Sequence, residues 1–179
     1  MDSHGEQVAR AREAARGGPM RSYFAYSTIL DPAAFEEWKA QHGYQDFALP
    51  PGRRAVARGI ALTFDFPSRW WGGRVAGLED RAGAEVHGLV YSVRAEDWPI
   101  LQHKEGGITG MCVEREVSVE VDGGERLTAV AFTTAPERRS GDGPVSGRFI
   151  EALQRGAATA GLPQAYQDSL GKLAAGRTA

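Results

Sequence analysis

A single carboxylate in this chain stands where a proton-transfer group belongs. The stretch Trp98-Pro-Ile-Leu-Gln-His-Lys-Glu105-Gly-Gly107 reads as a short helix that ends in a glutamate and stops at two glycines. Ala95, Glu96 and Asp97 suit a first turn. Pro99 fits only there, where its missing N–H is not needed. Trp98 and Leu101 are three apart and share a buried face. Gly106 or Gly107 supplies the left-handed residue that ends the helix. Glu105 then lies at the negative end of the helix dipole, which disfavours an anion. That is a poor position for a structural carboxylate and a suitable one for a general base that must take up a proton. The other reading is an exposed glutamate at a helix end.

The remaining reactive side chains form no constellation. Cys112 is the one cysteine, so an internal disulfide is excluded. It sits in Gly110-Met-Cys-Val-Glu-Arg-Glu-Val-Ser-Val119, which alternates like a strand, and no His-Asn pattern marks it as a nucleophile. A core or edge-strand cysteine is the favoured reading. His4, His42, His87 and His103 are scattered without metal-site spacing, so no structural metal is expected. GxGxxG, GxxxxGK[ST] and GxSxG are all absent, which leaves nucleotide cofactors and a serine-hydrolase elbow unsupported.

These residues must be held by one domain with a substantial core, as 179 residues with 42% hydrophobic content allow. The formal net charge of −2 comes without a basic stripe, which argues against nucleic acid or an anionic membrane as partner. No apolar run approaches the roughly 20 residues that span a bilayer. The start, Met1-Asp-Ser-His-Gly-Glu, lacks the basic-then-apolar pattern of a secretory signal, and with one cysteine a cytoplasmic location is the expectation.

Residues 1–20 are rich in Ala, Arg, Glu and Gly and nearly lack an apolar face, so they read as a disordered lead-in to a single domain at 21–173, with a flexible tail at 174–179. Arg21–Ser27 reads as a short aromatic strand. Asp31 as N-cap and Pro32 at the first position start a helix that Phe35, Trp38 and Lys39 continue and Gly43 closes. Strands are expected at 55–66, 75–78 and 85–93, the last two around a turn at Arg81-Ala-Gly83. A hairpin follows, Gly110–Val121 and Glu125–Thr134, turning at Asp122-Gly-Gly124. Val145, Phe149, Leu153 and Ala157 are spaced for an amphipathic helix, Gly161-Leu-Pro163 breaks it, and a last helix carries Tyr166 and Leu170. The connections between strands are too short for parallel crossovers. The fold class is therefore α+β, with a small mixed, mostly antiparallel curved sheet or barrel flanked by helices.

Five stretches, in order and with compatible spacing, resemble the γ-glutamylcyclotransferase family. Tyr23-Phe-Ala-Tyr-Ser-Thr-Ile-Leu30 is similar to its opening loop, YFAYGSN or YGTL. Phe64-Asp-Phe-Pro-Ser-Arg-Trp-Trp-Gly-Gly73 is similar to FDF…WHGG, and Glu85-Val-His-Gly-Leu-Val-Tyr91 to EVWGVVW. Glu105-Gly-Gly-Ile-Thr-Gly-Met111 is similar to EGxxxGMY, which carries the family's catalytic glutamate. Gly161-Leu-Pro-Gln-Ala-Tyr-Gln-Asp-Ser-Leu170 is similar to GLPxxYxxxL. The match spans about Tyr23 to Leu170.

The resemblance implies a small-molecule γ-glutamyl substrate whose α-amine attacks its own γ-carbonyl, releasing 5-oxoproline and an amine or amino acid. It implies Glu105 as the general acid/base, and a substrate-binding set of Tyr23, Phe24, Ala25, Tyr26, Ser27, Thr28 and Ser146, with no metal or cofactor and a monomer or homodimer. The chain departs from the pattern at several positions. Ser27 stands at the usual glycine and Ile29 at the Asn of one loop version; Cys112 replaces a common Tyr, Ser146 an aromatic, and Trp71 the histidine of WHGG. Trp70 and Trp71 read as packing under the loop or as substrate contacts. Two further readings stay open: a related amide or acyl-transfer or hydrolytic enzyme acting on a γ-glutamylated natural-product intermediate, and a non-catalytic small-molecule binding protein on the same fold.

Overall fold

The computed structural model describes residues 3–175, with side chains through residue 173. Helix α1 (Ser3–Ala15) precedes β1 (Arg21–Ala25) and α2 (Pro32–His42). Two long strands follow, β2 (Arg53–Ser68) and β3 (Gly73–Val93), then α3 (Trp98–Lys104), the hairpin β4 (Cys112–Val121) and β5 (Arg126–Thr134), and finally α4 (Gly147–Thr159) and α5 (Gln164–Ala175). The strands close into a barrel in the order β1-β3-β2-β4-β5. Among these strand pairs the closing β1–β5 contact, at Tyr23 and Val130, is parallel and the others are antiparallel. The expected α+β class with a mostly antiparallel barrel is what the chain forms.

The core divides across β1, because successive strand residues point to opposite faces. Phe24 joins a cluster of strand side chains that includes Leu78, Val86, Val119 and Ala131. Tyr23 and Ala25 join the larger cluster, where Phe149 and Leu153 of α4, Leu101 of α3 and Trp38 of α2 pack against the barrel. A strand buried on both faces is necessarily apolar throughout, as Tyr23-Phe-Ala25 is.

Local chemistry sets most element ends. The Asp31 carboxylate accepts from Ala33 N and caps α2, Pro32 fills the first position, and Gly43 ends the helix at φ 76°. Ser146 caps α4 by accepting from Phe149 N at 3.1 Å, so Val145 lies just outside the helix its spacing suggested. Two expectations are corrected. Residues 81–83 are not a turn between separate strands. β3 runs through them, and both halves pair with β2 across a register shift between Arg58 and Ile60. Gly59 and Gly83, at φ 75° and 78°, absorb the irregularity as a bulge.

The expected lead-in is largely helical. Val8 of α1 is buried, and Arg12 bonds the Glu96 carbonyl at 3.0 Å and the Asp97 carboxylate at 3.3 Å, so α1 is held against the turn that precedes α3. The expected flexible tail lies mostly outside the described residues, with α5 extending to Ala175.

β3 lies tightly against the end of β1 at Gly88, where an added Cβ would fall 2.1 Å from the Ala25 carbonyl oxygen. Gly88→Ala is expected to cost at least about 2 kcal/mol, lowering the melting temperature by roughly 4–8 °C in a chain of this size. Gly141→Ala, where an added Cβ meets nothing, is the control and should leave the melting temperature unchanged. Thermal unfolding of both variants checks this.

Candidate active site

α3 ends in a double glycine closure that fixes Glu105. The Gly107 N–H donates to Gln102 O at 2.7 Å and the Gly106 N–H to His103 O at 3.3 Å. These are the paired bonds of a Schellman motif, with Gly106 as the left-handed residue at φ 79° and Glu105 as the C-cap. The following loop then folds onto the Gly106 carbonyl, which accepts from Met111 N at 2.9 Å, Cys112 N at 3.1 Å and Thr109 Oγ1 at 3.1 Å. Glu105 is thus held at both sides by backbone hydrogen bonds rather than hanging from a free loop.

Its side chain points inward and is only 14% exposed. Lys104 Nζ lies 3.7 Å from Oε1, an ion pair longer than a hydrogen bond. The Tyr23 phenol is buried beside the carboxylate. Oε1 is buried, and no hydrogen-bond donor among the described residues reaches it. A buried carboxylate oxygen left without a donor costs stability, and such atoms are rare in folded chains. The surrounding hydroxyls and thiol stay protonated. Burial first, and the Glu105 charge after it, push the Tyr23 phenol well above its usual range. Burial, then the Cys112 and Glu105 charges, do the same for Tyr26. Burial, then Glu105 and Asp65, push the Cys112 thiol up to about 12.

Glu105 opens onto a cleft of about 290 Å³. This is near the lower limit of small-molecule sites, roughly 300 Å³, and suits a compact ligand. Three segments bring the floor together: Tyr26-Ser-Thr28 after β1, the end of α3, and Cys112 and Phe132 from the β4–β5 hairpin. Tyr26 is anchored by its hydroxyl, which donates to Phe132 O at 2.5 Å. Thr28–Leu30 form a 3₁₀ turn in which Leu30 N donates to Ser27 O and Asp31 N to Thr28 O, leaving the Thr28 and Ile29 N–H groups outside the turn's own bonding. α4 clamps this turn. Gly156 lets the helix lie on the Leu30–Asp31 backbone, and Arg155 Nη2 bonds Asp31 Oδ2 at 2.8 Å. Ser27 has φ −117°, ordinary extended backbone, so the loop does not need a glycine there.

The residues expected at the site divide. Glu105, Tyr26, Ser27 and Thr28 line the cleft together. Tyr23 touches the site through Glu105, from the core. Phe24 and Ala25 are wholly buried, Phe24 in the strand cluster on the other face of β1. Ser146 is not a lining residue. Its hydroxyl donates to Trp71 O at 2.6 Å while capping α4, so it fastens the β2–β3 hairpin tip to that helix. Trp71 both lines the cleft and packs edge-on against Phe149, so packing and contact are not exclusive there. Trp38, His42, His103 and Lys104 also line the cleft and were not singled out from sequence. A Trp on a buried helix stripe looks like ordinary core, and the only available signal was the adjacency of His103 and Lys104 to Glu105.

The AIG2-like family matches residues 85–170. The chain is 26% identical to the γ-glutamylcyclotransferase of Bos taurus, the match covering 84% of this chain and 77% of that protein. It is 29% identical to the γ-glutamylcyclotransferase of Homo sapiens over 58% of this chain and 53% of that one. A solved γ-glutamyl cyclotransferase structure superposes with a TM-score of 0.69 at 24% identity, covering 84% of this chain and 86% of that chain. The resemblance read from the five stretches is therefore found independently, and the fold is that of the γ-glutamylcyclotransferases.

Burial pushes the Cys112 thiol up to about 12, so far less of it is thiolate at pH 8 than of an ordinary cysteine. DTNB at pH 8 should leave the native protein unlabelled while labelling the guanidinium-unfolded chain within minutes. Rapid labelling of the native form would contradict this description of the cleft.

Proposed function

We propose that the protein is a γ-glutamyl cyclotransferase with Glu105 as its general acid/base. The observation that carries this reading is Glu105, which lines a small cleft and has a buried Oε1 that no donor among the described residues reaches. A substrate α-ammonium supplies the missing donor.

In this reading the ammonium gives one proton to Glu105 and becomes a neutral amine. Its nitrogen attacks the γ-carbonyl carbon of the same molecule, and the new C–N bond closes a five-membered ring. The carbonyl oxygen takes negative charge and then returns it as the original amide C–N bond breaks. Glu105 passes its proton to the departing nitrogen as that bond breaks, and the restored carboxylate relays the second proton from the new ring nitrogen to the released amine, which leaves as an ammonium ion beside 5-oxoproline. Nucleophile and electrophile belong to one molecule, so the main demand on the protein is to hold the substrate folded in attack geometry. The rigid closure of α3 and the clamped Ser27–Leu30 turn meet that demand. The N–H groups of Thr28 and Ile29 are the donors suited to the glutamyl carboxylate or the developing oxyanion. Lys104, 3.7 Å from Oε1, partly balances the Glu105 charge.

Glu105→Gln keeps the shape and removes the base. Parent protein incubated with γ-glutamyl amino acids and γ-glutamyl amines should release 5-oxoproline, and the variant should lose about 10²- to 10⁴-fold in kcat/KM with its fold intact by circular dichroism. Linear glutamate as the product would instead support hydrolysis at the same carboxylate. Binding of γ-glutamyl compounds without turnover would support a binding protein.

A further inference from the structure

One wall of the cleft is made of rings from three separate elements: Trp38 and His42 of α2, His103 of α3, and Trp70 of the β2–β3 hairpin tip. Trp38 and His42 stack at 4.7 Å, His103 meets His42 edge-on at 5.2 Å and Trp38 edge-on at 5.6 Å, and Trp70 is tilted 6.4 Å from His42. The cleft stays open beside them, and Trp70 remains 41% exposed. An indole left half in water at the mouth of a cleft is apolar area that a ligand can cover. Flat groups benefit most from such a wall, because offset and edge-on ring packing adds to simple burial.

The neighbouring charges narrow the choice. Aromatic faces also attract cations, but two rings of the cleft already carry cations of the protein. Lys104 Nζ lies 5.9 Å from the Trp38 ring centre and the Arg148 guanidinium 5.4 Å from that of Trp71. A ligand with a second ammonium group would meet both with like charge. A neutral ring would not.

We propose that this wall is the leaving-group subsite and that it selects γ-glutamyl compounds whose departing amine carries an uncharged aromatic ring. The proposal rests on the cyclotransferase reading of Glu105. A ring packed against one aromatic side chain raises affinity roughly two- to tenfold, and several rings are available.

The test compares kcat/KM, by 5-oxoproline release, for γ-glutamyl-L-phenylalanine, γ-glutamyl-L-alanine and γ-glutamylputrescine. The phenylalanine compound should exceed the alanine compound about tenfold, chiefly through KM, and the putrescine compound should be the poorest. Trp70→Ala should shrink the phenylalanine-to-alanine ratio about fivefold, while Trp70→Phe, which keeps a ring, retains most of it. Thermal unfolding monitors integrity, since an exposed side chain should be replaceable without loss of fold. Equal kcat/KM for the phenylalanine and alanine compounds, a ratio unmoved by Trp70→Ala, or a preference for putrescine would each overturn the subsite and leave the cyclotransferase reading standing. No 5-oxoproline from any of the three would overturn both.

Discussion

A buried carboxylate with an empty acceptor is unfavourable, and the fold around Glu105 is largely the means of keeping it so. Left to itself, the side chain would rotate toward water or toward a backbone donor. Here the Schellman closure at Gly106 and Gly107 fixes its backbone, and the loop to Cys112 wraps the Gly106 carbonyl. Lys104 faces Oε1 at 3.7 Å, an ion pair too long to fill its hydrogen-bonding capacity. Burying a charge this way costs stability that the rest of the core must offset. α1 contributes through Arg12 and Asp97, which pin the turn that starts the helix carrying Glu105.

Across the cleft, the loop after β1 is held by a different device. Asp31 does two things at once: it caps α2 through Ala33 N and accepts from Arg155 of α4. The 3₁₀ turn between β1 and α2 is therefore fixed by one side chain that belongs to neither flanking element. Ser146 plays the same double part at the opposite edge, capping α4 and holding the hairpin tip through Trp71 O. Helix caps here double as the fasteners of the loops that line the cleft, so the site is tied to the packing of α4 against the barrel.

Much of this was legible in the residues, and the boundary between legible and hidden follows physical range. Pro99, Gly106 and Gly107 announce the α3 ends because their constraints act within a turn, and Asp31, Pro32 and Gly43 do the same for α2. The β4–β5 hairpin was legible from its Asp122-Gly-Gly turn. What stayed hidden depends on partners far along the chain. Arg81-Ala-Gly83 looks like a turn until Gly59 on β2 makes it a bulge. α1 looks unsupported until Asp97, 85 residues beyond Arg12, is brought beside it. Ser146, assigned to substrate by resemblance, is spent on a cap that only the docked hairpin tip reveals. Trp38 and His42 carry no local sign that their helix stripe faces a cleft as well as a core.

The role of Glu105 depends on where a substrate nitrogen sits, and a crystal structure of Glu105→Gln soaked with a γ-glutamyl amino acid observes it directly. The expected result is the α-nitrogen within about 3.2 Å of the side-chain oxygen at position 105, with that nitrogen about 3–3.5 Å from the γ-carbonyl carbon. An α-nitrogen bound elsewhere in the cleft, with position 105 facing only the leaving group or nothing, would contradict the assignment of Glu105 as the base.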